Sequence, residues 1–578
     1  MIPRRRTFAA LLCGVGLATA ADYKYGSQPY DALEEFIYEG TRPDGSSLTD
    51  LIRSCKLRGG TNTSVAAEWV RLVYHDTATH NIADGSGGLD GSIFFEVDRE
   101  ENNGSGMKNT LSDFSSFPSK YISRADIIAI GTVFAVAACG GPVIPIRGGR
   151  IDSNVAGPYG VPNVTDTTEH FVDTFAKQGF NVSEMIQLVA CGHTLGGVRF
   201  PDFPDLVPQG TDANAQVVQL FDTTQQFDVN IVTEYLDGST RDPLVVNNAS
   251  AASDLRVFSA DGNATIKGMA TPEAFFSQCT TIFDKMLNTV PSSVTLTDYI
   301  ELQPIKVSNP QLTLNDDTLQ FEVAVRLQLL TNTTSVQLYW CDRYGENENC
   351  GGSLKRLAAP ASTSTVSSPI SSTMGVTLKK YQFVVPIAQS QGIAKFWFVV
   401  DHGNGTTTVA DNDGAFYTVD QDDVLWVPSM SMAKPVLGSG GWFIVAAVKS
   451  GSSPSRVYID CFGRATSDYL PVNATYDLAL NNSHISRSGY DFYSVTTTHD
   501  FGATMQFDLV AVKGDGSSSM DSYRQAGFIS VSLPDATTVN TTTSGDVGGQ
   551  SSAPGWRMPN ISLLAAVWAG AIVAIACL

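Results

Sequence analysis

Near residue 305 the apolar residues change their spacing, and a chain that does this must build two kinds of core. Before that point, segments 64–77, 122–138, 169–178, 183–196 and 273–289 repeat apolar residues at three- and four-residue intervals, with Ser, Thr, Asn or Asp near their starts. Such spacing, opened by an N-cap residue, predicts amphipathic helices. After it come runs rich in Val, Tyr, Phe and Thr at Leu319–Leu329, Tyr381–Ile387, Lys395–Val400, Trp442–Val448 and Thr504–Val512, which read as strands. With 578 residues the chain is long enough for several domains. The expectation is a multidomain protein: a mainly α-helical domain at 21–300, then β-sandwich-like modules at 301–427 and 428–532. A Ser/Thr/Pro stretch at 359–374 reads as a long loop or internal hinge, and 533–560 as a Ser/Thr/Gly-rich stalk.

Both ends carry addresses. Arg4, Arg5 and Arg6, an apolar run from Phe8 to Leu17, and Ala18-Thr19-Ala20 make residues 1–20 a secretory signal peptide. Residues 561–578 are apolar and uncharged, preceded by small residues (Gly548, Gly549, Ser551, Ser552, Ala553) and a short polar spacer with Arg557. That order predicts GPI attachment with the tail removed; a permanent membrane anchor is the alternative. Either way the bulk of the chain is expected outside the cell, and twelve Asn-x-Ser/Thr acceptor sites agree with glycosylation there. Net charge is −21, and loss of the signal takes it to −24. An acidic chain is a poor partner for nucleic acid or anionic lipid. Seven cysteines remain once both ends are removed, an odd count that leaves one free or bridging to another chain. No metal-type Cys-x-x-Cys spacing occurs.

The chemistry concentrates in the first half. In AAEWVRLVYHDT, Arg71 and His75 lie four apart and so one turn apart on one helix face. An imidazole can take a proton from one peroxide oxygen and return it to the other, while a guanidinium steadies the charge that develops as the O–O bond breaks. Alone, the pair reads more readily as a surface salt-bridge helix. Asp76 follows directly, and Gly88-Leu89-Asp90-Gly91-Ser92 offers carboxylate, hydroxyl and carbonyl oxygens of the kind Ca²⁺ prefers, or a metal-free Asp-Gly turn. A second histidine, His193, closes the apolar segment SEMIQLVACGHTLGG. It is a core histidine, or an axial haem ligand whose other nitrogen is held by a carboxylate.

Four ordered motifs carry a resemblance. RLVYHD, GGLDGSI, GGRIDS and VACGHTLG resemble, in that order, the distal, calcium-loop, Gly-Arg-x-Asp and proximal-histidine motifs of the plant–fungal–bacterial haem peroxidase superfamily. From about residue 45 to 290 the chain is most similar to the secreted fungal class II type. The resemblance implies a haem b cofactor, with His75 the distal acid–base catalyst, Arg71 the distal arginine and His193 the fifth iron ligand. Asn102 matches the asparagine that orients the distal imidazole, and Glu96 the glutamate supporting it. Asp261, in FSADGNAT, matches the aspartate bonded to the proximal imidazole. Asp76, Gly88, Asp90 and Ser92 match distal calcium ligands; Thr194, Asp222, Thr224 and Asp228 are the proximal candidates, in a segment one residue shorter than the class II pattern. Phe221 falls at the proximal Phe position. Cys139 matches a family disulfide position with Cys55 as its partner.

Departures from the pattern narrow the donor. Tyr74 replaces the usual distal Phe or Trp, Leu188 stands where lignin-oxidising members carry a surface Trp, and Leu195 stands where manganese peroxidases carry an Asp. Neither specialised site is present, which leaves hydrogen peroxide and a small, generic, phenolic donor as the expected substrates. Cys341 and Cys350 bracket a short polar loop and are expected to pair; the pairing of Cys191, Cys279 and Cys461 stays open, with Cys191–Cys279 and an unpaired Cys461 as one arrangement. After residue 300 no catalytic constellation stands out. Asp401 and His402 read as turn residues, and KFWFVV and GWFIVAAV as buried strands rather than a carbohydrate platform. Cell-wall polymer is a candidate partner of this half. The expectation is thus a secreted, GPI-anchored haem peroxidase. Its rivals are an adhesion or wall-structural protein with a peroxidase-like domain, and a competent haem domain that serves mainly to bind.

Overall fold

The computed structural model describes residues 26–526, apart from segments 43–44, 210–216, 316–317, 330–334, 345–346, 349, 351–355, 420, 422, 435–440, 465–468, 483–488, 500 and 502–504. The expected signal peptide, stalk, attachment region and apolar tail lie outside the described residues, as does residue 504 of the last expected strand.

Helices form where the apolar spacing predicts them. The helix Val65–Thr77 starts at Ser64, whose side chain accepts the Ala67 N–H, and buries Trp69, Leu72 and Val73. Arg124–Ala138 is capped by Ser123 and buried on every side, so it runs through the middle of the helical core. Val182–His193 opens with a reciprocal capping box between Asn181 and Glu184. Pro272–Leu287 packs against it, and the disulfide Cys191–Cys279 ties the two together. A second disulfide, Cys55–Cys139, fastens the approach to the first of these helices to the end of the central one, and Cys341–Cys350 closes a loop in the β-rich half. Cys461 is free and buried.

The β-rich half is layered. A central sheet of nine described strands places Ser362–Val366, Leu378–Ala388, Thr318–Gln328, Ile305–Asn315, Val424–Trp426, Gly441–Lys449, Tyr490–Thr496 and Ala479–Leu480 side by side, with Met432–Lys434 pairing on Gly441–Lys449. A five-stranded sheet built on Ser335–Cys341 and Lys395–Asp401 covers one part of it, and a four-stranded sheet built on Arg456–Arg464 and Gln506–Val512 covers another. In Gly441–Lys449 successive side chains enter different cores: Val445 and Ala447 join the five-stranded side, Ile444, Ala446 and Val448 the four-stranded side. That double burial is why GWFIVAAV is apolar throughout rather than alternating. The expected boundary at 427/428 therefore does not separate two closed sandwiches, because strands from both sides of it share one sheet. In KFWFVV, Phe396 and Phe398 point into the core as expected, while Trp397 faces outward and stacks on its cross-strand neighbour Tyr339, with 5.7 Å between ring centroids.

The β-rich half is bolted to the helical domain. Arg326, Lys306 and Lys380, on three adjacent strands, meet the acidic face of the helix Gln28–Glu39. Arg326 donates to Glu34 at 2.5 and 3.1 Å and lies 3.4 Å from Glu39; Lys380 bridges Glu35 and Glu39; Lys306 pairs with Asp31. Arg326, Glu34 and Glu39 are essentially fully buried, and burial pushes the Glu39 carboxyl up to about 7. At a second contact the Lys120 ammonium meets Asp460 and Asp508, the Tyr121 hydroxyl donates to Asp508 at 3.0 Å, and Tyr121 packs edge-on against Tyr523. The stretch 359–374 is no hinge: it forms the edge strand Ser362–Val366 and a short helix, Pro369–Thr373, whose Ile370 is buried in the helical core.

Because Arg326 alone reaches both Glu34 and Glu39 at this seam, Arg326→Ala leaves two buried carboxylates short of a partner. The expected loss is about 3–5 kcal/mol of stability, read from the shift of the denaturant midpoint. A shift near zero would mean that water reaches the cluster.

Candidate active site

A cavity of about 1210 Å³ opens between the helices Val65–Thr77 and Val182–His193. Arg71, Tyr74 and His75 line one side; Leu188, His193, Leu195, Phe221 and Asp254 line the other. Each histidine comes from the last turn of its own helix, so tertiary packing alone brings the two imidazoles to one space.

On the distal side His75 Nδ1 lies 2.7 Å from the Asn102 carbonyl oxygen. An acceptor there places the proton on Nδ1, which leaves the Nε2 lone pair for the cavity. Asn102 is held in turn, because its amide donates to the Glu96 main-chain carbonyl at 2.9 Å. The expected support from Glu96 thus comes from its backbone; its carboxylate instead accepts the Gly157 N–H at 2.6 Å and pairs with Arg99. Burial, with Arg71 close by, holds the His75 imidazole well below its usual range, so it is a neutral base. Arg71 donates to the Asn103 carbonyl at 2.8 Å and rests over the Phe203 ring; burial lowers it to about 10, and it remains a cation at neutral pH. Tyr74 meets His75 edge-on, stacks on Phe175 at 5.6 Å, and has its hydroxyl 3.5 Å from the Gln178 amide oxygen.

On the proximal side the structure corrects one assignment. The carboxylate against His193 Nδ1, at 2.6 Å, belongs to Asp254 rather than Asp261. Asp254 is buried on the helix Ser253–Phe258, beside buried Val257 and Phe258. Asp261 lies past the end of that helix, where it accepts from Ala264 N, Thr265 N and the Thr265 hydroxyl and so opens the next helix. The signal was present: Asp261 is followed by Gly-Asn, a turn signature, whereas Asp254 opens an apolar helical run. Phe221 lies parallel to the His193 ring at 4.4 Å. Leu188 and Leu195 are buried and expose no redox-active or acidic side chain.

The two loops expected to bind calcium differ in how their oxygens are occupied. In the distal loop Asp76 accepts from the Asp90, Gly91 and Ile93 amides at 2.8–3.1 Å, and Asp90 from Ser92 N. Gly88 is required there: a Cβ would sit 2.7 Å from the Thr289 carbonyl. The Ser92 hydroxyl is buried without a partner. In the proximal loop Thr224 donates to Asp228 at 2.8 Å and Thr194 to the Asp228 carbonyl at 2.6 Å. Asp222 Oδ2 and Glu234 Oε2 are buried without partners, and burial among these acids pushes Asp222 up to about 7. Unneutralised buried oxygens of this kind fit a hard cation, and the proximal loop fits it better. Among the described residues no cluster of three or more His, Cys, Asp or Glu side chains forms a metal cage.

The assignment of Asp254 is open to direct test in haem-loaded protein. Asp254→Asn weakens the acceptor on His193 Nδ1 and should make the iron reduction potential more positive. Asp261→Ala should leave the potential alone and cost about 1 kcal/mol of stability through the lost hydrogen bonds from Ala264 and Thr265. Equal potentials in wild type and Asp254→Asn would remove Asp254 from this role.

Comparison with known proteins agrees with the geometry. Residues 49–271 match the family model described as Peroxidase. A WSC domain-containing protein of Arthroderma benhamiae is 38% identical over 333 residues, 56% of this chain and 46% of that protein. A putative L-ascorbate peroxidase 6 of Arabidopsis thaliana is 37% identical over 24% of this chain and 43% of its own. A mitochondrial cytochrome c peroxidase of Yarrowia lipolytica is 29% identical over 31% of this chain and 48% of its own. The chain thus spans about half the length of these relatives. With both imidazoles, their oxygen partners and the cavity between them in place, residues 49–271 are a domain of the plant–fungal–bacterial haem peroxidase superfamily.

Proposed function

We propose that the whole chain acts as an extracellular haem b peroxidase, reducing hydrogen peroxide and oxidising small phenolic donors in one-electron steps. The observation that carries this reading is the pair of imidazoles lining one cavity, each with Nδ1 engaged by an oxygen, Asn102 for His75 and Asp254 for His193. His193 Nε2 is the atom that would hold the haem iron, with Phe221 and Leu188 among the walls. Bound haem supplies the redox-active iron that takes two oxidising equivalents from peroxide. The neutral His75 accepts the peroxide proton at Nε2 and returns it to the distant oxygen, which leaves as water. Arg71 offers positive charge to that departing oxygen. Asn102 keeps the His75 proton on Nδ1, so that Nε2 is the base in every turnover.

Calcium in the Asp222, Thr224, Asp228 and Thr194 loop would hold Thr194, next to His193, and so steady the proximal ligand; the loop of Asp76, Gly88, Asp90 and Ser92 would do the same beside His75. Secretion, GPI attachment and glycosylation rest on the sequence features of both ends and the acceptor sites. In this reading the β-rich half presents the enzyme to wall polymer. The outward row of Tyr339, Trp397 and Phe416 on the five-stranded sheet is the face on which sugar rings would stack.

The first experiment is the absorption spectrum of the haem-loaded protein before and after equimolar peroxide. A Soret band that shifts with peroxide and recovers with a phenol supports the reading; no haem uptake would overturn it. His75→Ala should keep the Soret band and slow the reaction with peroxide by about 10²–10⁴-fold. The pH profile follows from the charge around His75. Its lowered pKa keeps the base neutral below pH 6.5, so the rate should stay flat through that pH and fall only in stronger acid. Arg71→Leu removes the cation that contributes to this lowering, and the acid limb should move toward neutrality. A limb that stays in place, measured by stopped flow, would separate Arg71 from the titration of His75. In the full chain, Tyr339→Ala with Trp397→Ala should cut retention on insoluble wall polymer and leave the peroxide rate unchanged.

A further inference from the structure

Acceptor triplets for N-linked sugar are spread along the whole chain, but folding gathers some of them around the cavity. Asn103, Asn163 and Asn248 each open an Asn-x-Ser/Thr triplet, and each both lines the cavity and is exposed to solvent. A residue that does both stands at an opening. Asn103 is already engaged at the distal site: its carbonyl holds Arg71, and its amide nitrogen donates to the Asp202 carbonyl at 3.4 Å. The other two are far apart in sequence, yet one side chain joins them. Arg256, on the helix that also carries Asp254, donates to the Val164 carbonyl in the middle of the first triplet and to the Ala249 and Ser250 carbonyls of the second. Its guanidinium rests over the Phe171 ring, 5.7 Å from the centroid. Both triplets are also built alike. The Asn163 side-chain oxygen accepts the Thr165 amide at 3.0 Å and hydroxyl at 2.8 Å. The Asn248 oxygen accepts the Ser250 amide at 3.1 Å, the Ser250 hydroxyl, and the Ala251 amide at 3.2 Å. The side-chain nitrogen, the atom that carries sugar, is left over. That of Asn163 has no partner among the described residues, and that of Asn248 meets only the neighbouring Asn247 oxygen at 3.5 Å.

We propose that Asn163 and Asn248 carry N-linked oligosaccharides that stand side by side at the mouth of the cavity and set the size of donor that can pass it. This rests on the reading of the chain as an extracellular peroxidase, because the sugar is added on the secretory route. There, before the chain folds, the asparagine Nδ2 attacks C1 of the first sugar of a lipid-diphosphate-linked oligosaccharide. The new N–C1 bond replaces the C1–O bond to phosphate, the lipid diphosphate leaves with the electron pair, and one amide proton is released. In the folded protein both positions are exposed, so neither sugar has to be buried. A hydrated oligosaccharide is too bulky and polar to enter the cavity, and it covers the rim instead. Because Arg256 ties the two triplets together, the two sugar chains share one stretch of rim and cannot spread apart. Hydrogen peroxide and single-ring phenols pass between them, whereas a phenol fixed to a polymer does not. An enzyme mounted on wall polymer would then act on it through small diffusible donors.

The secreted full-length chain tests this in two steps. Glycopeptide mass spectrometry, which does not need haem, should find sugar on both Asn163 and Asn248. Bare Asn163 and Asn248 in a chain that carries sugar elsewhere, at Asn404 or Asn473 for instance, would overturn this proposal alone. A chain without sugar at any site would overturn it together with the extracellular reading. The second step compares two donors on the haem-loaded protein: a free methoxyphenol, and the same phenol grafted on dextran. Asn163→Gln with Asn248→Gln removes both acceptors and keeps a side-chain amide at each position. Oxidation of the free phenol should stay as in wild type, while oxidation of the grafted phenol should rise by about tenfold. Thr165→Ala with Ser250→Ala, which keeps both asparagines and removes only the acceptor pattern, should behave the same way. Trimming the folded wild type to one sugar per site changes no residue and should also release the grafted donor, so the test does not depend on the variants folding. Asn404→Gln with Asn473→Gln, away from the cavity, should change neither rate. No gain for the grafted donor in the trimmed wild type, an equal gain for both donors, or the same gain in the Asn404 and Asn473 variant overturns the proposal. Oxidation of neither phenol by any form would overturn the peroxidase reading and the proposed gate with it.

Discussion

An imidazole that must act through one nitrogen has to be held by the other, and the helical domain is arranged around that requirement twice. His75 and His193 end two different helices, and neither helix can choose a tautomer for its histidine. Asn102 and Asp254 do so, from segments far away in sequence. Much of the surrounding structure serves these two contacts. The Glu96 carbonyl holds the Asn102 amide, Gly157 holds the Glu96 carboxylate, and the Cys191–Cys279 disulfide fixes the helix that ends at His193. A buried base with its proton placed by an acceptor needs no reorganisation before it takes another, which is what fast proton transfer demands.

The second constraint is buried charge between the helical and β-rich halves. Arg326, Lys306 and Lys380 face Asp31, Glu34, Glu35 and Glu39 in a region from which water is largely excluded. Such a seam gains little net energy, but separating it would expose each charge to the other's loss in a dry setting. It therefore favours one relative placement of the two halves. With Lys120 and Tyr121 clasping Asp508 at a second point, and Ile370 inserted into the helical core, the β-rich half is a mount rather than a tethered module. The cavity and the outward aromatic row of the five-stranded sheet are then carried on one body.

Much of this was legible in residue order. The five helical segments lie where three- and four-residue spacing put them, and Arg71 and His75 share a helix face because of that spacing alone. The strand runs also lie where they were read, since double-sided burial and alternation both leave a compositional mark. The reading failed where two candidates had the same chemistry. Asp254 and Asp261 are seven residues apart, and only the packing of the helix Ser253–Phe258 against the helix of His193 makes one of them the partner. The supposed hinge at 359–374 failed for a related reason: five residues of helix with one buried Ile carry too little pattern to be seen before their docking site exists.

Sequence by itself determined the two kinds of core, the helix faces that carry Arg71, His75 and His193, and the family to which those motifs belong. These are local properties: periodicity, capping and short motifs are written within a few turns of chain. Tertiary structure decided the rest. Which carboxylate meets His193, that Glu96 supports Asn102 through its backbone, and that one central sheet joins the expected modules all depend on groups distant in sequence. Hydrogen bonds between such groups have no period to read, because their partners are chosen by how the elements pack.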